Sequence, residues 1–231
     1  MRVLVFLFFC LLPEFALAGP WPRDRGQVYA LVGHQGGHNG WSGLYLEYGG
    51  PRRLTFGLEI GGHLGGSSTP GVPGFSDRLT DGRIRAFVRA PVPLAGQGGT
   101  GLFAPWLAAV ELSLGRDLRD DGRKVERLGL GASIGRDIST RYGDGWMAFD
   151  LLVSGGSGVE TRMNYGAVAG IRPTDRITVE LGLFGESDGD ANVQLAPTIQ
   201  YDFGRIGQAR LGLSFDPDKD TALVLGWSRT F

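Results

Sequence analysis

Cysteine is nearly missing from this chain. The single one, Cys10, lies in an apolar run near the start. A chain that loses that run has no disulfide, no thiolate metal site and no cysteine nucleophile. Lysine is almost as scarce, at Lys124 and Lys219 only. The water-exposed strand faces of soluble proteins normally carry many Lys and Glu residues, and that supply is absent here. The formal net charge is -1, so there is no basic footprint for a nucleic-acid partner. Beyond residue 18 no stretch is long and apolar enough for a membrane helix, and no amphipathic helix of useful length is visible. Histidine occurs at positions 34, 38 and 63 alone.

The first residues have an evident reading. Arg2 supplies a positive end, residues 3–12 are almost wholly apolar, and Ala16-Leu17-Ala18 offers an A-x-A site with cleavage expected before Gly19. The apolar run is shorter than the ~20 residues of a spanning helix, and Pro13 and Glu14 interrupt it. The bulky Phe8-Phe9 pair before Cys10 argues against a lipidated cysteine. Residues 1–18 are therefore expected to be a signal peptide and 19–231 a single exported domain.

What the chain has in excess is glycine, 40 of 231 residues. No G-X-Y period accompanies it, and the glycines sit inside alternating apolar segments, so neither collagen nor low-complexity disorder fits. "RLTFGLEIGGH" sets Leu54, Phe56, Leu58 and Ile60 against Thr55, Gly57, Glu59 and Gly61. "RLGLGASIG" sets Leu128, Leu130, Ala132 and Ile134 against Gly129, Gly131, Ser133 and Gly135. "RITVELGLFGE" sets Ile177, Val179, Leu181 and Leu183 against Thr178, Glu180 and Gly182. This is the two-residue period of strands. Twelve such segments are centred near residues 30, 45, 58, 86, 108, 131, 150, 168, 181, 198, 212 and 225. Short turns fall at 48–52, 172–176 and 203–207. Longer polar connectors are expected at 62–80, 116–126, 155–161, 187–192 and 216–220.

Three all-β architectures use such a pattern: a soluble sandwich, a soluble periplasmic barrel that holds a small apolar ligand, and a membrane barrel. In a soluble barrel the apolar face points inward. In a membrane barrel it points at lipid, where a midplane Arg or Lys costs ~2–4 kcal/mol. The apolar face here is clean in the later strands, and the opposite face is small and polar with single charges. Segment length also matches the ~9–11 residues of a tilted membrane strand. The fold class expected is all-β, a closed antiparallel up-and-down transmembrane barrel of about twelve strands, in which the last strand pairs with the first.

The final residues carry a resemblance. Leu223, Leu225, Trp227 and Phe231 fall on alternate positions of one face, and Phe231 is the last residue. This ending resembles the C-terminal signature of Gram-negative outer-membrane β-barrel proteins. Arg229 departs from it, since that position is usually apolar, although an Arg at a strand end can snorkel to the headgroups. "GPWPRDRG", just after the expected cleavage site, is similar to the opening of a group of small barrels described as outer-membrane transporters. The resemblance implies outer-membrane lipid around the barrel and the barrel-assembly machinery as a partner in biogenesis. It also implies a porin-like role, either passive passage of small solutes or a structural membrane function, with no cofactor.

Charges on the polar face are the expected lumen lining: Glu47, Glu59, Glu111, Asp150, Glu180 and Asp202 facing Arg83, Arg85, Arg89, Arg127, Arg172 and Arg210. Such a set either forms salt bridges that stiffen the barrel or lines a pore with a field that selects solutes by charge. Glu59 and Arg85 are expected to meet across adjacent strands. The alternative function is a lipid-modifying hydrolase with Ser and His at the rim. His63 precedes Ser67 and Ser68, and His34 and His38 flank "QGG", but no hydrolase spacing results. His34 and His38, four apart in a Gly-rich loop, could also hold a metal, but a plain polar loop is the expected reading. The acidic stretches "SDGDAN" (187–192) and "DPDKD" (216–220) lack the full calcium-loop spacing, and no metal is expected. Tyr48, Trp146, Tyr201, Phe203, Trp227 and Phe231 lie near strand ends, as interfacial girdles would. Deleting Phe231 is expected to slow assembly, read as the rate at which heat-modifiable protein accumulates in outer-membrane fractions; unchanged insertion would remove the assembly role from the ending.

Overall fold

The computed structural model describes residues 19–36, 40–64, 79–94, 105–119, 122–187, 191–217 and 221–231. The expected signal peptide, His38, Ser67, Ser68 and parts of both acidic stretches lie outside them. Twelve strands follow one another: β1 Val28–Gln35, β2 Trp41–Gly49, β3 Thr55–Leu64, β4 Leu79–Val92, β5 Trp106–Leu118 and β6 Lys124–Thr140. They continue as β7 Gly143–Gly156, β8 Val159–Arg172, β9 Ile177–Ser187, β10 Ala191–Asp202, β11 Gln208–Ser214 and β12 Ala222–Thr230. Each pairs antiparallel with the next, and β1 pairs with β12 from Tyr29↔Thr230 to Gln35↔Val224, which closes the barrel. All twelve expected segments are strands, because an alternating, glycine-spaced sequence has only one face to bury and every segment finds two neighbours.

Sidedness is inverted relative to a soluble protein. Leu114 and Leu130 are each 66% exposed, whereas Glu47 is 1% and Arg89 7% exposed. The outward leucines run round the wall, including Leu112, Leu128, Leu181, Leu211 and Leu223. An apolar belt this continuous needs lipid against it, since soluble monomers rarely leave more than a few hundred Å² of contiguous apolar surface in water. Among the described residues the buried apolar cluster of the interior is small, Leu31, Tyr45 and Phe87 with Tyr29 against it. The soluble alternatives, which require an apolar interior, do not describe this molecule.

Glycine on the inner face makes room for rings. A Cβ on Gly57 would stand 1.9 Å from Phe87 Cζ, and one on Gly170 would stand 2.4 Å from Trp146 Cζ2. Trp146 therefore lies in the lumen and not in an outer girdle, a correction to the sequence reading; the even positions of β7, Ala148, Ser154 and Trp146 among them, all face inward. The other five aromatic residues of that reading do face outward near the rim that holds both chain ends. Phe203 stacks on Trp227 at 5.7 Å and meets Tyr201 edge-on at 4.8 Å. Arg229 lies on the outward face as expected, with its guanidinium over the Phe231 ring at 4.4 Å.

Two expected long connectors are tighter than their polarity suggested. Strands β5 and β6 continue until Leu118 pairs with Lys124, so much of 116–126 is strand. Strands β7 and β8 meet at a turn of Ser157 and Gly158, where Gly158 adopts φ +71°. That left-handed conformation suits a two-residue hairpin. Charges in those segments keep the two-residue alternation, and the ladder follows it.

Leu130, exposed near the middle of β6, is expected to tolerate Ala far better than Arg. Leu130→Arg should lower folding stability in lipid vesicles by ~2–4 kcal/mol, read by urea titration; a loss no larger than that of Leu130→Ala would contradict the outward assignment.

Candidate functional site: the charged lumen

The inward positions of β2 to β5 build one chain of alternating charge. Arg89 and Glu111 are register partners on β4 and β5, as are Glu59 and Arg85 on β3 and β4. Arg89 Nη1 donates to Glu47 Oε1 at 2.8 Å and Nη2 donates to Glu111 Oε2 at 2.8 Å. Glu47 is on β2, one strand beyond the immediate neighbour. Arg89 reaches it because Thr55 and Gly57 on the intervening β3 are small. Arg85 donates to Glu59 at 2.5–2.9 Å and to Glu111. The Tyr45 hydroxyl donates to Glu47 at 2.6 Å. Each guanidinium thus satisfies two carboxylates, a use of its fixed fork that a lysine lacks.

A second group crosses the lumen. Arg83 on β4 pairs with Glu186 on β9 at 3.3 Å and with Asp117 on β5 at 3.8 Å. Arg162 on β8 pairs with the same two acids, Asp117 at 3.0 Å and Glu186 at 3.2 Å. The four side chains close a ring of ion pairs. Strands β5 to β8 separate β4 from β9 along the shorter wall, so the Arg83–Glu186 pair is a bridge across the interior. Arg127 adds a third cation to Asp117 at 2.7 Å, and Asn164 donates to Glu186 at 2.6 Å. This ring lies toward the rim away from the chain ends. On the remaining wall Arg210 pairs with Glu180 at 2.8 Å, and Thr198 donates to the same carboxylate at 3.2 Å.

At the opposite level the chain itself enters the lumen. Residues 19–24 leave β1 and fold inward. The Arg23 side chain bonds Glu47 and lies over Tyr29 at 4.3 Å, and its backbone N–H donates to Thr55 Oγ1 at 3.1 Å. Pro20 and Trp21 pack against Gly135 on β6, where a Cβ would meet Trp21 Cη2 at 2.8 Å and Pro20 Cδ at 3.1 Å. The segment therefore runs from the β2–β3 wall to the β6–β7 wall. Near its far end Asp150 Oδ2 and Ser133 Oγ are buried with no hydrogen-bond partner among the described residues, and these two residues are register partners on β7 and β6.

Of the expected lumen charges, Glu47, Glu59, Arg83, Arg85, Arg89, Glu111, Arg127, Glu180 and Arg210 join these networks, and Glu59 meets Arg85 as expected. Asp150 faces the lumen outside them. Arg172 keeps the inward parity of β8 but ends it exposed at the rim, with its guanidinium over Trp146 at 5.1 Å, and joins none of these networks. Asp202 serves the turn after β10, accepting from Gly204 N–H at 2.6 Å and Gln208 at 3.3 Å. Arg23, Asp117, Arg162 and Glu186 were missed. The last three were legible, because each keeps the inward parity of its strand; Asp117 does so inside an expected connector, and Arg162 and Glu186 do so one residue outside one. One pairing seen only in three dimensions is His34 Nδ1 with Ser42 Oγ at 3.3 Å, on the outward face. Among the described residues no further side chain bonds His34, so a hydrolase dyad here would lack the group that orients its base.

A closed, lipid-facing barrel of twelve strands with a charged interior defines the class: this chain has the fold of an outer-membrane porin or channel. It is similar in structure to the KdgM porin (TM-score 0.59, 7% identity, 88% of this chain and 99% of that one). It is also similar to an outer-membrane channel from Pseudomonas putida F1 (0.55, 15%, 94% and 100%) and to the NanC porin (0.55, 9%, 88% and 98%). No protein-family model and no curated protein sequence matches it.

Glu47 has a fully buried side chain, and removing its charge leaves Arg89 and Arg23 with one acceptor fewer. Glu47→Gln is expected to destabilise the folded barrel by ~3 kcal/mol in urea titrations, the scale of breaking one side of a buried pair. Glu126→Gln, at the exposed Arg116 pair, should change little. Equal effects would show that the lumen network is as solvated as the surface.

Proposed function

We propose that the protein is a passive outer-membrane channel for small polar solutes. The observation that carries this reading is a closed barrel whose interior is lined by paired charges and glycine in place of a packed apolar core. The guanidiniums and carboxylates balance closely, so the lumen presents alternating sign and little net field. Selection then rests on size and on exchange of a solute's polar groups with the ion-pair ring, and not on net charge. A KdgM porin has been described in complex with disordered oligogalacturonate, so a barrel of this fold can hold a flexible polar chain. Catalysis is not part of the proposal, because the outward His34–Ser42 pair has no orienting partner among the described residues. In biogenesis the barrel-assembly machinery is the proposed partner, engaging Leu223, Leu225, Trp227 and Phe231 on β12.

Purified folded protein in planar bilayers should give discrete current steps. Arg83→Ala, which removes one corner of the cross-lumen ring, should raise the step size while heat-modifiable mobility stays unchanged. Folded protein that remains silent with and without that substitution would overturn the channel reading in favour of a structural barrel.

A further inference from the structure

The inner wall of β6 and β7 holds a carboxylate with no counter-charge of its own. Among the described residues, Asp150 Oδ2 is buried with no hydrogen-bond partner, and so is the Oγ of Ser133, its register partner. Arg89 and Glu111 act on it electrostatically, with opposite sign. Arg89 is already committed to Glu47 and Glu111. An isolated buried carboxylate is costly unless a cation or several donors meet it.

The chain supplies a cation at this spot once it is processed. Gly19 is buried, and a Cβ placed on it would stand 3.2 Å from Ala148 Cβ. Ala148 is the inward residue one pleat before Asp150, about 7 Å along the same strand. Hydrolysis at the expected A-x-A site consumes one water, leaves a carboxyl on Ala18 and frees the amine of Gly19. That amine takes up a proton near neutral pH and presents three donors.

We infer that Gly19 is the mature N-terminus and that its α-ammonium pairs with Asp150 and Ser133, pinning residues 19–24 across the lumen. Arg23 on Glu47 ties the segment to the β2–β3 wall, and Gly19 on Asp150 ties it to the opposite wall. Export processing is then a structural modification: it creates the charge that locks the strap in place. This inference does not depend on conduction, because its readout is the amine itself.

The test uses mature protein folded in detergent, with folding checked by heat-dependent mobility and the first residue read by mass spectrometry. The α-amine is labelled with an amine-reactive ester at pH 7.5, with Lys124 as internal reference. In the parent protein Gly19 should label about sevenfold more slowly than in Asp150→Asn, since at pH 7.5 a one-unit rise from an ordinary α-amine pKa cuts the free amine by that factor. A variant with Ala-Ser inserted between Ala18 and Gly19 shifts the amine away from Asp150. It should label fast in the parent background and gain nothing further from Asp150→Asn. The insertion leaves the barrel wall untouched and decides alone if Asp150→Asn does not fold. A first residue other than Gly19 overturns the inference. So does equal labelling of parent and insertion in the folded state.

Discussion

The constraint on which this molecule depends is that lipid offers no partner for a backbone N–H or C=O. A sheet in that medium cannot keep an edge, so the ladder between β1 and β12 is as necessary as any interior pair. Closure divides the wall into two faces with different solvents. The outer face must be apolar, the inner face is left to polar residues, and charges from separate walls meet there, as Arg83 and Glu186 do. The ion-pair networks are the resolution of that crowding.

Arginine carries every cation of those networks. A guanidinium spans two acceptors in one plane and stays charged at any physiological pH. Arg89 uses this to join β2 to β5, and Arg83 and Arg162 use it to join walls that no backbone hydrogen bond connects. The networks therefore tie together strands that are distant round the ladder, which is stiffness of a kind the sheet alone does not have. They also set the free cross-section, because a bridge of side chains stands in the path of anything that passes.

The fold was almost fully legible from alternation. "RLGLGASIG" admits no other secondary structure, and its clean leucine face against glycine and serine already points the leucines outward. Strand ends were harder to read. Asp117 and Glu126 look like loop residues by charge, and only the ladder shows that their strands continue. Trp146 was assigned to a girdle because it lies near a strand end, but parity and not depth decides which side a ring occupies. Arg23 and the His34–Ser42 contact were beyond any period-based reading, since one depends on a segment folding back and the other on two strands meeting. The lumen pairs within neighbouring strands were readable, and those across the barrel were not.

The glycine–ring pairs have a consequence for how such a wall can form. Phe87 lies over Gly57, its register partner, and Trp146 over Gly170; Tyr165 does the same over Gly185 on the outer face. A slip of one residue at any of these seams would turn every side chain to the wrong side and drive a ring into a Cβ. Each pair thus acts as a key cut for one alignment, placed at a different seam of the wall. A chain that adds its strands in turn would meet these keys one after another, and a misaligned seam would be refused before the next strand arrived.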